Sequence, residues 1–187
     1  MKKLLSALFA LALCSSIALA TVPSPPNCSV SPCDALGGAV MCPDVPGAIA
    51  NSVVTLTIRN QANNPIANAA VNVTFGTGPL CICGTMVYNA TTNASGVAVI
   101  TLRGGGCIRN TANACVFVAN GTIVRAYSNL KSPDWDGAAG NCTVNLGDLV
   151  VYARGTDLCF DFNNTGAIDI ADFQIFASGY SPSRHCP

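Results

Sequence analysis

The chain has 187 residues, of which 50% are hydrophobic and 10% are charged, and nine basic residues balance nine acidic ones. The basic residues are scattered, which argues against nucleic acid as a partner. Glutamate is absent, and seven of the nine aspartates lie between positions 134 and 172.

The first twenty residues have the features of a secretory signal peptide. Lys2 and Lys3 precede an apolar run at 4–13, and Ala18-Leu19-Ala20 forms a small-x-small cleavage site. The apolar run is shorter than the roughly 20 residues of a membrane span. We expect cleavage after residue 20 and a protein that is secreted or lies at the cell surface, with no transmembrane segment after cleavage.

Cysteine usage supports an oxidising compartment. Eleven cysteines are present, and loss of Cys14 with the signal peptide leaves ten. An even number in an exported chain predicts up to five disulfides. Zinc ligation is the alternative, but His185 is the only histidine and no C-x-x-C motif occurs. Residues 21–45, rich in proline and cysteine, are expected to form a stapled N-terminal segment.

Residues from about 51 to 128 alternate between apolar and polar positions. In 53–59, Val54, Leu56 and Ile58 share one face, as a half-buried strand requires. The same pattern recurs at 71–75, 97–102, 115–118 and 123–127. Turns are predicted at 63–65, 93–96, 104–106 and 120–121. The last is Asn-Gly between two strands, a hairpin signal, and such short strands predict an all-β sandwich.

Two segments of this region resemble a known family. R-N-Q-A-N-N-P-I-A-N-A-A-V-N-V-T-F (59–75) and T-T-N-A-S-G-V-A-V-I-T-L (91–102) are similar to the bacterial immunoglobulin-like domains of invasin-type surface proteins. The resemblance implies an immunoglobulin-like sandwich over 46–129 and does not identify a ligand. Cys81 and Cys83 would share a strand face, so each is expected to bridge elsewhere, with Cys107 and Cys115 as candidates.

An internal repeat follows the β-rich region. V-N-L-G-D-L-V-V-Y-A-R-G (144–155) aligns without gaps with I-D-I-A-D-F-Q-I-F-A-S-G (168–179), at an offset of 24 residues. Asp148 matches Asp172, and the apolar positions match conservatively. This duplication indicates two copies of one structural unit.

A cluster of short oxygen-bearing side chains precedes the helix pattern in the second copy. The candidate ligands lie at positions 1, 3, 5, 7, 9 and 12 of a twelve-residue loop: Asp161, Asn163, Thr165, Ala167 (through its carbonyl), Asp169 and Asp172. Gly166 stands at position 6, where the loop turns sharply. This spacing is typical of a calcium loop, with aspartate in place of the usual closing glutamate. Ile168 is expected to pack loop against loop.

The first copy departs from this spacing. Three extra residues follow Asp136, and Cys142 stands where glycine belongs. With that insertion the candidate ligands are Asp134, Asp136, Asn141, Thr143 (through its carbonyl), Asn145 and Asp148. Helix capping and turn formation are the alternative roles for the aspartates of both loops.

Two calcium loops, each closed by aspartate and followed by one helix, resemble a dockerin domain. The resemblance covers 134–180 and implies a small α-helical dockerin-like domain, within 130–187, in which Ca²⁺ has a structural role. Dockerins bind cohesins through the loop ends and helices, where this chain has the apolar pairs Leu146-Gly147 and Ile170-Ala171. The implied partner is therefore a cohesin-like protein or the chain's own neighbouring domain.

The cysteines near the repeat suggest two bridges. Cys159 and Cys186 flank the second copy and are expected to bridge each other, which leaves Cys142 to find a partner in the β-rich region. Such a bridge would join the two modules.

No catalytic residue is predicted. A serine triad needs a positioned base, and His185, the sole histidine, is expected to be an exposed tail residue. The clustered aspartates are better explained as calcium ligands than as glycosidase carboxylates. Carbohydrate binding is an open alternative through stacking on Trp135, Tyr88, Tyr127 and Tyr152.

Overall fold

A computed structural model describes residues 21–85 and 87–187. The predicted signal peptide and Cys14 lie outside these residues. The described chain consists mostly of β-strands in several sheets, with a few short helices and three disulfides.

The strands in chain order are β1 (Ser29–Ser31), β2 (Ala39–Val40), β3 (Val53–Thr57), β4 (Ala70–Phe75), β5 (Leu80–Ile82), β6 (Val87–Thr91), β7 (Val97–Thr101), β8 (Gly104–Gly106), β9 (Cys115–Ala119), β10 (Thr122–Tyr127), β11 (Leu130–Lys131), β12 (Thr143–Val144) and β13 (Arg184–His185). The α-helices are α1 (Cys33–Leu36), α2 (Leu146–Ala153) and α3 (Ile170–Gly179). Short 3₁₀ turns lie at Pro25–Asn27, Ala50–Ser52 and Leu158–Phe160.

Two antiparallel sheets form the larger part of the fold. One has the strand order β1-β3-β7 and the other β10-β9-β4-β6. Their inward side chains share one core, with Val54 and Leu56 from the first sheet and Val73 and Phe117 from the second all fully buried. The five strands predicted from period-two alternation are confirmed, because β3, β4, β7, β9 and β10 lie on them.

The predicted Asn-Gly hairpin is also confirmed. Asn120 and Gly121 have φ values of 45° and 78°, the left-handed conformation of a type I′ turn. Thr122 of β10 pairs directly with Ala119 of β9, so the loop contains two residues.

The prediction of a turn at 104–106 is wrong. Gly104–Gly106 is strand β8 and pairs antiparallel with β5. A Cβ atom on Gly105 would lie 1.6 Å from Oδ2 of Asp134, and one on Gly140 would lie 2.3 Å from the carbonyl carbon of Gly105. The glycines therefore let the 134–140 segment lie directly on the strand, a close-approach role that glycine also serves.

The repeat region has a second core. Helices α2 and α3 carry Tyr152 and Phe176 at equivalent positions of the repeat, and these rings stack with centroids 4.3 Å apart and planes 12° apart. Phe160 packs edge-on against both rings, and Phe162 is buried beside it. The duplicated sequence thus places its aromatic positions against each other.

Three disulfides connect the repeat region to strands β5 and β8 and the residues beside them: Cys81–Cys142, Cys83–Cys186 and Cys107–Cys159. The expected partner for Cys142 in the β-rich region is confirmed. The expected Cys159–Cys186 bridge is wrong, as are Cys107 and Cys115 as partners of Cys81 and Cys83. The chain end passes next to β5 instead, because β13 pairs with β12 and the Cys186 amide donates to the Cys142 carbonyl at 2.9 Å.

Four cysteines of the described chain are buried and lie outside these bridges: Cys28, Cys33, Cys42 and Cys115. Burial raises the pKa of Cys33 and of Cys42 to about 12. Three disulfides are therefore present where up to five were expected.

The N-terminal segment is not stapled by disulfides as expected, because Cys28, Cys33 and Cys42 are unbridged. Instead β1 pairs with β3, and one polar cluster links the segment to β10. Arg125 donates to the Asp34 carboxylate at 2.9 Å and to the Pro25 and Cys28 carbonyls. The Tyr127 hydroxyl donates to the same carboxylate. Burial disfavours the charged form, but hydrogen bonds from Tyr127, Val30 and Arg125 outweigh it and lower the pKa of Asp34.

Within residues 21–85 and 87–187, no helix is both long and apolar enough to cross a bilayer.

Candidate metal-binding loops

The second loop, 161–172, holds its first aspartate by two backbone amides. Oδ1 of Asp161 accepts from the Thr165 N–H at 3.0 Å, and Oδ2 accepts from the Gly166 N–H at 3.0 Å. Gly166 has a φ of 91°, which glycine adopts without steric cost. These contacts fold the chain around the carboxylate within six residues.

The first loop, 134–148, repeats this arrangement with its insertion. Oδ1 of Asp134 accepts from the Asn141 N–H at 3.0 Å, and Oδ2 accepts from the Cys142 N–H at 2.7 Å. The donors lie seven and eight residues after the aspartate instead of four and five, a difference of three residues in each case. Cys142 has a φ of 66° and so takes the backbone role of Gly166. The alignment with a three-residue insertion therefore describes the backbone hydrogen bonds.

Both loops end in the same capping arrangement. The Asn145 side chain accepts from Gly147 N–H at the start of α2, and Asp148 accepts from the Asn145 N–H at 2.7 Å. Asp169 and Asp172 make the equivalent bonds at the start of α3. The closing aspartates are thus capping-box residues, and capping by itself explains part of their placement.

The remaining candidate ligands of the second loop form local contacts. The Asn163 side-chain oxygen accepts from the Thr165 N–H at 3.3 Å, and the Thr165 hydroxyl donates to the Ala167 carbonyl at 3.2 Å. In the first loop, Asp136 accepts from Ala138 and Ala139, and Asn141 accepts from the Thr143 N–H. These side chains stabilise local turns within each loop.

One carboxylate oxygen distinguishes the two loops. Oδ1 of Asp172 accepts from the Phe162 N–H at 2.7 Å and the Asn163 N–H at 3.2 Å. Oδ1 of Asp148 is buried and accepts no well-aligned hydrogen bond from the described chain, although the backbone amide of Trp135, the repeat equivalent of Phe162, stabilises the Asp148 carboxylate. An unpaired buried carboxylate oxygen is costly, so this atom fits a site for a cation.

The loops also differ in nearby positive charge. Lys131 is buried, donates to the Asp161 carbonyl, and lies 4.0 Å from Asp161 Oδ2. Burial lowers the pKa of Lys131 to about 8 against the opposing effect of Asp161. Among the described residues, the aspartates of the first loop have no ion-pair partner.

This difference affects titration of the carboxylates. Burial, followed by the charges of Asp148 and Asp136, raises the pKa of Asp134 to about 7. Burial also raises the pKa of Asp148 and of Asp172. Desolvated carboxylates whose pKa values are raised by one another are stabilised by a bound cation.

The carboxylates of each loop lie apart in this conformation. In the described chain, one group of three histidine, cysteine or acidic side chains has its ligand atoms within 4.8 Å of one another. It consists of Cys83, Cys142 and Cys186, which belong to two disulfides. No three aspartates of either loop meet that closely. Calcium binding in either loop therefore requires its carboxylates to draw together, with neutral oxygens completing the shell.

Ile168, which was expected to pack loop against loop, belongs to the second core together with Val144 of the first loop. Its repeat equivalent, Val144, is fully buried in β12, which pairs with Arg184 and His185 of β13. Ile168 is partly buried and packs against the second core. The first loop is therefore tied to the chain end.

The aromatic residues considered for sugar stacking are mainly packing residues. Trp135, Tyr88 and Tyr127 are each 8% exposed. The Trp135 indole N–H donates to Asp157 at 2.8 Å, and the Tyr88 hydroxyl donates to the Arg103 carbonyl at 2.7 Å. His185 is exposed, as expected, and its Nδ1 lies 2.7 Å from the Ser183 carbonyl oxygen.

Two functional features were missed by sequence reasoning. Lys131 is the only lysine after position 3, a composition signal, but its proximity to the second loop depends on the fold. The contact between Gly105 and Asp134 spans 29 positions of the chain, and the glycine triplet was the only local sign of it.

Apolar side chains are exposed at the start of both repeat helices. Leu146 is 65% exposed and its repeat equivalent Ile170 is 71% exposed. Val150 and Phe173 lie nearby in the same helices and are about half exposed. Solvent-exposed apolar residues at equivalent positions form a candidate contact surface.

The chain matches no protein-family model, no curated protein and no solved structure.

Proposed function

We propose that this chain is a non-catalytic scaffold or adhesion-type protein, secreted or located at the cell surface, whose repeat region is stabilised by Ca²⁺ in two dockerin-like loops. The observation that carries the proposal is the buried Oδ1 of Asp148, which accepts no well-aligned hydrogen bond from the described chain. A cation would satisfy it in a loop with three carboxylates, none of which has an ion-pair partner among the described residues.

The ligands in this proposal are the twelve residues of the two loops. Asp134, Asp136, Asn141, Thr143, Asn145 and Asp148 would bind the first ion, and Asp161, Asn163, Thr165, Ala167, Asp169 and Asp172 the second. Such oxygen-rich shells suit calcium better than magnesium, which demands a stricter octahedral geometry.

Calcium in this proposal organises structure and performs no chemistry. The ion would neutralise the loop carboxylates and fix the start of α2 and α3, whose inner faces carry the stacked Tyr152 and Phe176. The two main sheets, which we assign to an immunoglobulin-like sandwich, would be the rigid part of the protein. The three disulfides attach the repeat region next to them, at β5, β8 and the residues beside those strands. An exported location agrees with those disulfides.

Calorimetric titration of the full exported chain with calcium tests the proposal. We expect two binding events, with D148N removing one and D172N the other, and each substitution preserving the size of the side chain. Magnesium titration is the matched control and should give weaker binding. Titration heat that matches the buffer dilution in the wild-type chain would contradict the proposal.

A second candidate function is attachment to a cohesin-like protein through the exposed apolar residues of α2 and α3. The observation that favours it is the paired exposure of Leu146 and Ile170. We expect L146D/I170D to abolish capture by an immobilised cohesin. V99D changes a residue of β7 that is 58% exposed and should leave capture intact. Capture by glycan-coated beads instead would favour a carbohydrate-binding module.

A further inference from the structure

Cys142 has an unusual backbone conformation for its residue type. Its φ of 66° lies in the left-handed region, where a Cβ atom clashes with the backbone and glycine is preferred. The equivalent residue of the second loop is Gly166, with a φ of 91°. A Cβ atom on Gly166 would have no atom within 4 Å, so glycine there serves backbone conformation rather than space.

The same residue places the first candidate ligand. The Cys142 N–H donates to Asp134 Oδ2 at 2.7 Å, as the Gly166 N–H donates to Asp161 Oδ2 at 3.0 Å. If Cys142 left the left-handed conformation, its N–H would turn away and Asp134 would lose this bond. The geometry at position 6 therefore controls the carboxylate at position 1.

Cys142 is held from two sides. Its side chain is bridged to Cys81 of β5, with the two Cα atoms 5.5 Å apart. Its carbonyl accepts from the Cys186 N–H at 2.9 Å, and Cys186 is itself bridged to Cys83. The contacts that fix Cys142 thus come from residues distant in sequence.

We infer that the Cys81–Cys142 disulfide is a positioning element of the first loop, because it holds Cys142 in the conformation that glycine adopts freely in the second loop. This inference rests on the proposed calcium binding and makes the calcium affinity of the first loop dependent on the bridge. By thermodynamic reciprocity, calcium in this loop would protect the bridge against reduction.

Two double variants separate the bridge from the backbone conformation. C81S/C142S removes the bridge and keeps a Cβ atom at position 142, whereas C81S/C142G removes both. Both cysteines are replaced because Sγ of Cys142 lies within 4.8 Å of Sγ of Cys83 and Cys186, so a lone thiolate would attack the neighbouring bridge. Each is measured with D172N, which silences the second loop.

We expect C81S/C142S to weaken calcium binding to the first loop about tenfold, within the range for a left-handed non-glycine residue. In C81S/C142G, the calcium affinity of the first loop should recover to within about twofold of that in the bridged protein. G166A, measured with D148N, is the matched control and should weaken calcium binding to the second loop about tenfold. Affinities unchanged in both double variants, or reduced equally in both, would overturn the inference.

Reduction of the bridge gives an independent readout on the unmodified protein. Dithiothreitol supplies two electrons and two protons to yield two thiols and itself becomes a cyclic disulfide. We expect alkylation of Cys81 and Cys142 to need more dithiothreitol when calcium is present, and this protection to vanish in D148N. Equal alkylation with and without calcium in a protein that binds two ions would overturn the inference alone. Failure of the unmodified chain to bind calcium would instead overturn the proposed function.

Discussion

The first and second loops reach one hydrogen-bonding pattern by different means. In the second loop, Gly166 and the short spacing from Asp161 allow the turn to form from residues that are close in sequence. In the first loop, Cys142 needs a bridge to β5, and Asp134 rests on Gly105 of β8. The comparison shows that loop geometry can come from local backbone freedom or from distant anchors.

The loops differ in electrostatics as well. Lys131 lies beside Asp161 of the second loop, while Asp134, Asp136 and Asp148 of the first loop have no ion-pair partner among the described residues. Under the proposed function, the first loop would therefore gain more from a cation, because Lys131 partly neutralises the second. The loop that departs more from the usual spacing would then be the one that depends more on calcium.

The largest expected effect is on the anchored loop. Because the Cys81–Cys142 bridge closes a segment of 61 residues, its removal in C81S/C142S should lower the free energy of unfolding by about 4 kcal/mol. Denaturant unfolding measures this loss. Amide exchange should accelerate in the first loop and change little at Thr165 and Gly166. A loss below about 1 kcal/mol would mean that backbone contacts alone hold the first loop.

Calcium should have the next largest effect. At a free concentration 100 times the dissociation constant, each occupied loop should raise the free energy of unfolding by about 2.7 kcal/mol. Chemical denaturation in calcium and in chelator measures the difference, and D148N and D172N should each remove one loop's share. A midpoint that is the same in calcium and chelator would contradict calcium stabilisation in both loops.

The hydrogen bonds of the second loop follow from residue spacing more directly than those of the first, for a physical reason. Every contact of Asp161 with its loop amides lies within six residues, so spacing alone describes it. Asp134 depends on Gly105 and, through Cys142, on Cys81, which are far away in sequence. Five strands were predicted from alternation, which is also a pattern of neighbouring residues. Strands β5 and β8 are too short to show it, and each pairs with the other across the chain.

The disulfides show the same limit. Cysteine parity predicted that bridges exist, but their partners depend on where the chain end passes. β13 pairs with β12 and brings Cys186 next to Cys83, a result of tertiary packing that residue spacing does not encode. The sequence shows Lys131 as the only lysine after position 3, but only the folded structure places it beside Asp161.

In chelator, the free energy of unfolding should depend on pH through Asp134 of the first loop. The folded pKa of Asp134 is about 7, above the roughly 3.9 of an unfolded aspartate. The folded state then binds more protons between about pH 4 and 7, so the free energy of unfolding should fall as the pH rises through this window, by at most about 1.4 kcal/mol per pH unit.

Urea unfolding at several pH values in chelator measures this slope. D134N removes the titrating group and should flatten the curve between pH 5 and 7. D44N, which changes an aspartate on the β-rich side, is the control and should retain the slope. A wild-type curve that is flat over this range would contradict the assignment to Asp134.

The smallest effect concerns the partly neutralised loop. Replacing Lys131 by methionine removes a buried positive charge 4.0 Å from Asp161 Oδ2 and keeps a long apolar side chain. A cation bound to Asp161 would no longer be repelled, so K131M should tighten calcium binding to the second loop about fivefold, a modest share of the Coulomb energy at this distance. Calcium titration of K131M in the D148N background, in which the first loop no longer binds, measures this change in affinity.

Arg109 provides the matched control for this prediction. It lines the same cavity of about 180 Å³ as Lys131 and Asp161, and its charge acts on Lys131, but no ion pair joins it to a described loop residue. R109M should therefore tighten binding by less than K131M. If K131M instead weakened calcium binding, the Lys131 contact with the Asp161 carbonyl would be needed to shape the second loop. Both loops would then depend on an anchor distant in sequence, and the contrast between a local and an anchored loop would fail.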